Sequence, residues 1–262
     1  MQASALFSFY AAATIVCMFG SILLLLEIGR RIGIRRRALD PDGATAGLGA
    51  VEGAIFGLMG LLLAFTFSGA ASRFDSRRHL IVEESNAIGT AYLRLDLLPA
   101  AAQPKLRDDF RQYLDARIRY YQIASDDKAA AAQMARAIAL QQQIWTQAVA
   151  STKDSTSNAV PTLVLSSLNN MIDITATRSM ARRTHPPTVV FVMLIVLVMA
   201  SSVLAGYSMS AGRLRSRLHI VGFAIIMAVA VYVIFDIEFP RAGLVRVDSA
   251  DQVLTELRDT MK

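Results

Sequence analysis

Thiol and imidazole chemistry is scarce in this chain, which has one cysteine, Cys17, and three histidines, His79, His185 and His219, in 262 residues. A single cysteine excludes an intramolecular disulfide and a thiolate metal cluster, and the scattered histidines lack the His-Glu-x-x-His spacing of a zinc helix. Charge is also thin. Charged residues make up 18% of the chain against 54% hydrophobic, and the mean hydropathy is +0.41, more apolar than a soluble domain tolerates. The net charge of +6 would suit nucleic acid in a soluble protein, but the arginines cluster beside apolar runs, as topology signals do. Membrane lipid is therefore the expected surrounding and nucleic acid is not an expected partner. There is no long Gly/Ser linker, no internal repeat and little strand-like alternation.

Four runs, 5–26, 48–70, 187–208 and 218–237, reach the roughly 20 apolar residues that a spanning helix needs. The first lacks a basic leader and an A-x-A-like cleavage site and is followed by Glu27 and arginines, so it reads as a retained span. The expected fold is all-α: a four-span helical membrane protein with a helical extramembrane domain inserted between spans 2 and 3. The expected divisions are 1–72 for spans 1 and 2, 73–185 for the helical domain, 186–240 for spans 3 and 4, and 241–262 for a C-terminal tail. Within the insert, Leu106, Phe110, Tyr113, Leu114, Arg117, Ile118 and Tyr121 recur at three-and-four spacing and predict a helix over 104–124. Met134, Ile138, Ile144 and Trp145 mark a weaker stripe on 129–150. Val164, Leu168, Met171 and Thr175 mark a third helix, with Pro161 near its first turn. The second span meets no breaker before Pro99, so one long helix is expected there. Thr184-His185-Pro186-Pro187 is the expected break before the third span.

Orientation is read from the arginines near the spans. Arg30, Arg31, Arg35, Arg36, Arg37, Arg213, Arg215 and Arg217 lie on one side, against Arg73, Arg77, Arg78, Arg178, Arg182 and Arg183 on the other, eight against six. The positive-inside rule puts the first group in the cytoplasm and the helical domain outside.

Gly49, Gly53 and Gly57 repeat every fourth residue, and Gly60 and Ala64 extend the small face. With no preceding strand and no Lys-Ser/Thr, this is no phosphate loop, and close helix packing is the better reading. Glu52 is an acid near a span boundary, equally suited to an interfacial and to an ion-contacting role. Glu27 is placed to pair with Arg30 and Arg31. In the polar run after span 2, Asp75 can pair with Arg78 and His79 with Glu83. Alternatively, Arg73, Arg77 and Arg78 could form an electropositive vestibule once the subunit is repeated around an axis. Asp236 and Glu238 sit at i and i+2 and share no helix face, so paired-carboxylate catalysis is unsupported, and Asp236, Glu238, Pro240, Arg241 and Gly243 read as a structural turn. No nucleophile, metal or cofactor motif is present, so no catalytic residue, no metal and no cofactor is expected and the chain is not expected to be an enzyme.

The run from Gly57 through Phe65 to Arg73-Phe74-Asp75-Ser76-Arg77-Arg78, then Glu83-Glu84-Ser85-Asn86-Ala87-Ile88-Gly89, resembles the bacterial membrane family termed bestrophin-like. The ending Asp236-x-Glu238-x-Pro240-Arg241-x-Gly243-Leu244-x-Arg246-Val247 is similar to that family's C-terminal signature. The resemblance covers most of the chain and implies the inner membrane of a bacterium. Through its distant likeness to bestrophins, which are pentameric anion channels, it implies a homo-oligomer of five subunits passing an inorganic anion. The hydrophobic neck would then fall on Gly57, Leu61 and Phe65 of the second span. The Arg-Trp-Trp that follows the neck in bestrophins is Arg73-Phe74-Asp75 here, Gly57 stands where they carry a bulky residue, and no acidic calcium-clasp run follows the fourth span. Bestrophins keep their large domain in the cytoplasm, opposite to the side indicated by the arginines. The competing reading is a non-conducting membrane sensor or scaffold that uses its helical domain to bind a partner or ligand.

Overall fold

A computed structural model describes residues 2–40, 48–123, 127–153, 157–211, 217–240, 244–245, 247 and 251–261. Among these, regular structure is helical throughout: α1 (Gln2–Leu39), α2 (Leu48–Leu93), α3 (Gln103–Gln122), α4 (Asp127–Thr152), α5 (Ala159–Arg183), α6 (Thr188–Ser208), α7 (Arg217–Glu238) and α8 (Gln252–Thr260). Four helices are long and apolar enough to cross a membrane, as expected from the hydropathy. At 21 residues, α6 measures about 30 Å, the thickness of a hydrocarbon core.

The punctuation follows proline. The 46 residues of α2 run unbroken and tighten into a 3₁₀ turn, Arg94–Leu97, before Leu98 becomes extended ahead of Pro99. Pro104 sits in the first turn of α3, where its missing N–H costs no helical bond. α5 ends at Arg183, and Thr184 is extended ahead of His185-Pro186-Pro187.

The described chain divides into two compact units, 1–72 with 185–245 and 73–184 with 246–262. In the first, α1 packs against α6 and α7. This contact depends on backbone approach. A Cβ at Gly206 would fall 2.0 Å from the Leu26 carbonyl oxygen, and one at Gly29 would fall 2.0 Å from that of Val203. Gly33 adds a third small position, facing Ser210. Lipid tails are as apolar as leucine, so helices in a bilayer are held by such fit and not by exclusion from water. Ile22, Leu26, Leu194, Val198, Ala224, Met227, Val231 and Ile234 fill the rest of this core. From α2 come Met59 and Ala70, and Phe56 meets Phe223 edge to face at 6.4 Å.

The second unit has its own apolar core. The expected stripe of α3 is buried at Leu106, Phe110, Tyr113, Leu114, Arg117 and Tyr121, and Phe110 meets Tyr92 of α2 edge to face at 5.8 Å. On α4, Ile144 is buried and Met134 and Trp145 pack against this core as expected, but Ile138 points outward, and Ala130, Ala137, Leu140 and Ala148 complete the inward face. The alanines let α4 approach α3 closely, so part of the core face is marked by small size and not by hydropathy. α8 closes this unit with Leu254 fully buried, Leu257 over Gly89, and Arg258 Nε on Asp115 Oδ1 at 2.8 Å.

Substituting Gly206→Ala should therefore destabilise the detergent-solubilised protein by about 1–3 kcal/mol in thermal unfolding, because a carbonyl and not a flexible side chain is in the way. Gly222→Ala, where no described atom lies within 4 Å of the new Cβ, should leave the transition unchanged or raised.

Candidate functional site

The glycine stripe of α2 behaves unlike that of α1. At Gly49, Gly53, Gly57 and Gly60 no described atom lies within 4 Å of where a Cβ would stand. The close packing expected of this stripe is therefore absent within the described chain, where it falls instead to Gly29 and Gly206. One and two turns after Gly57, on the same face, Leu61 is 53% and Phe65 68% exposed. The opposite face holds Phe56, Met59, Leu62 and Leu63 against the first unit's core. The three residues of the expected neck thus share one continuous outward face. Glu52 is half-buried on α2, and its Oε1 has no hydrogen-bond partner among the described residues.

The three arginines beyond the span have unequal settings. Arg77 is committed locally, with Nε donating to the Ala181 carbonyl at 3.2 Å and Nη2 to that of Thr184 at 2.9 Å, which caps the C-terminus of α5. Arg78 is exposed, 3.9 Å from Asp75 and 5.8 Å from the Phe74 ring centre. Arg73 is half-buried. His79 and Glu83 pair at 3.1 Å in solvent, as their spacing suggested.

The signature after the fourth span forms a built turn. Buried Asp236 accepts the backbone N–H groups of Leu244 and Val245, each at 2.7 Å, and the Tyr232 hydroxyl at 3.0 Å. Fully buried Glu238 meets His185 Nδ1 at 2.9 Å, and the His185 ring stacks on Phe239 at 4.7 Å. The turn after α7 is thereby tied to the break between α5 and α6. Arg241 and Gly243 of the signature, like Arg213 and Arg215, lie outside the described residues.

A second cluster had no separate role in the sequence reading. Glu84 is fully buried, while its neighbour Glu83 is exposed. The Glu84 carboxylate takes Arg117 Nε at 2.6 Å, and its other oxygen pairs with Arg178 Nη1. Arg178 continues to Asp251 at 2.5 Å and lies over the Tyr121 ring at 3.6 Å. The Tyr121 hydroxyl reaches both Arg117 and Glu84. Burial works against the Arg117 charge, but Glu84 beside it holds the guanidinium above its ordinary value. Next to this cluster the Tyr113 hydroxyl sits 2.9 Å from Thr175 Oγ1 and accepts from Gln141 at 3.1 Å, and burial pushes its pKa up to about 12. The one available signal was Arg117 on an otherwise apolar stripe, since a buried cation requires a buried acid. Each of these contacts is internal and satisfied, which makes the cluster a structural lock. Among the described residues no group of three or more His, Cys, Asp or Glu side chains could hold a metal.

Comparison with known families matches a Bestrophin-like domain over residues 12–252. No curated protein and no solved structure matches the chain.

Glu84→Ala strands two buried guanidiniums and should cost about 3–5 kcal/mol in unfolding experiments, whereas Glu83→Ala should stay within about 0.5 kcal/mol. The raised Tyr113 pKa predicts a loss of stability in alkali. The unfolded chain releases the phenolic proton near 10.0 and the folded chain near 12, so the contribution is intact below pH 10 and declines as pH rises through 12. Tyr113→Phe should make that decline shallower in melting temperatures measured from pH 9 to pH 12.

Proposed function

The chain belongs to the bestrophin-like family, and from that premise we propose that it is a multi-pass, homo-oligomeric channel for inorganic anions in the inner membrane of a bacterium. In this reading the subunits, five as in bestrophins, surround an axis lined by α2, and the protein performs no catalysis. The observation that carries the proposal is the outward glycine-rich face of α2. Lipid-facing helix surfaces carry mainly bulky apolar side chains, as α1 does at Val16, Leu24 and Ile28, with Gly20 the single glycine among them. A run of glycines is costly for a helix to carry and is useful where another surface must come close. Gly53 and Gly57 would admit a neighbouring subunit or a wide lumen. Leu61 and Phe65, repeated around the axis, would form a narrow apolar ring that gates by dewetting. Arg73 and Arg78 follow at the end of the span, where a ring of positive charge concentrates anions. Arg77 adds its charge to that ring while it caps α5.

Purified protein in liposomes should pass chloride, and Phe65→Ala should raise that flux several-fold by removing the apolar barrier. Gly57→Leu should lower oligomer yield in native mass measurements without unfolding the chain, because no described atom lies within 4 Å of the new Cβ. A monomeric particle, or a flux that neither Phe65→Ala nor Leu61→Ala alters, would overturn the neck assignment.

A further inference from the structure

Three helices of the first unit converge on a cavity of about 260 Å³ at the arginine-rich end of the spans. Its basic lining is Arg30 of α1 and Arg217, the first residue of α7, and its apolar lining is Leu23, Leu26, Ile220 and Val221, which lie deeper along the same two helices. The cavity is therefore amphipathic along its depth, with charge at the mouth and hydrocarbon below. Glu27, also in the lining, does not neutralise it. The Glu27 carboxylate takes Arg30 Nε and Nη2, each at 2.9 Å, and Arg31 Nε at 3.0 Å. One acid thus faces three guanidiniums once Arg217 is included. The effect of Glu27 is to hold Arg30 in a fixed orientation with its remaining N–H groups available. Arg217 is exposed, and among the described residues no acid forms an ion pair with it. It also opens a helix whose first N–H groups have no acceptor within the helix.

We propose that this cavity binds a phosphate group, and that the group belongs to the headgroup of an anionic phospholipid. Arg217 would be the principal contact, Arg30 the second, and the apolar lining would receive the glycerol end of the acyl chains. The volume excludes whole acyl chains but accommodates a headgroup. On the positive-inside rule this end faces the leaflet that carries anionic lipid. The inference is independent of conduction, because it concerns α1, α6 and α7 and not α2.

The test is thermal unfolding of the full chain in neutral detergent with phosphatidylglycerol, phosphatidylcholine or inorganic phosphate added. Arg217→Gln and Arg217→Lys are compared with Arg35→Gln, a control on an exposed arginine of the same end outside the cavity lining. The proposal expects stabilisation by phosphatidylglycerol beyond that of phosphatidylcholine. Arg217→Gln should need about tenfold more lipid for the same shift, Arg217→Lys should recover part of it, and Arg35→Gln should behave as the parent. Equal stabilisation by inorganic phosphate, lost in Arg217→Gln, would uphold the phosphate site and overturn the lipid as its source. Equal loss in Arg217→Gln and Arg35→Gln, or no preference between the two lipids, would overturn the site. Because Arg217 is exposed at a helix terminus, its variants should melt like the parent without lipid, which separates a binding loss from a folding defect.

Discussion

Hydrocarbon offers no partner to a peptide N–H or C=O, so a chain that enters it must satisfy its backbone by itself. Long uninterrupted helices follow from this, as in α6 and α7, whose 21 and 22 residues match the depth of an apolar slab. So does the way they are held together. Without water to expel, α1 and α6 adhere by backbone fit, and Gly29 and Gly206 are glycines because a carbonyl of the opposite helix occupies the place of a side chain. Measured against that pattern, α2 is exceptional. At Gly49, Gly53, Gly57 and Gly60 no described atom fills the space beside the helix, a run of four where α1 and α7 each leave a single glycine open, at Gly20 and Gly222. This contrast separates a packed helix interface from a face left open within the described chain.

The second unit obeys a different rule. Its core is filled by large side chains, and α3 buries aromatic and aliphatic residues against α2, α4 and α5. Within that core a single carboxylate, Glu84, gathers Arg117 from α3 and Arg178 from α5, and Arg178 reaches on to Asp251 beside α8. Burying such charges costs desolvation that their attraction recovers only when every donor is matched. The network therefore contributes definition more than stability: it is satisfied in one helix register, and a slip of one residue would strand a guanidinium. The same economy appears at Asp236, whose two oxygens close the turn after α7 on two backbone N–H groups.

Much of this was legible in the residues, and the illegible parts share a cause. The spans, the breaks at Pro99 and Pro186-Pro187, and the stripe of α3 are local or periodic properties, and each appears where the sequence placed it. On α4, Met134, Ile144 and Trp145 meet the core as expected, whereas Ile138 points outward and the buried Ala130, Ala137 and Ala148 were missed, because alanines have low hydrophobic contrast. Glu83 and Glu84 are identical side chains on adjacent residues, 100° apart around a helix. Nothing local distinguishes the one that pairs with exposed His79 from the one that anchors two buried arginines. Arg77, grouped with Arg73 and Arg78 by spacing, proved to cap α5, a role set by carbonyls more than 100 residues away in the chain.

By itself the sequence determined what the chain is made for: a lipid solvent, an all-helical fold, four crossings, and membership of a family visible in its motifs. Those conclusions rest on hydropathy, helical period and proline placement, all of which act over a few residues and survive without tertiary contacts. The tertiary structure alone decided which glycines are filled and which stand open, which acid is buried, which arginine caps a helix, and where a basic cavity forms between α1, α6 and α7. Each of these depends on what lies opposite a side chain across a helix interface, and that partner is distant in sequence.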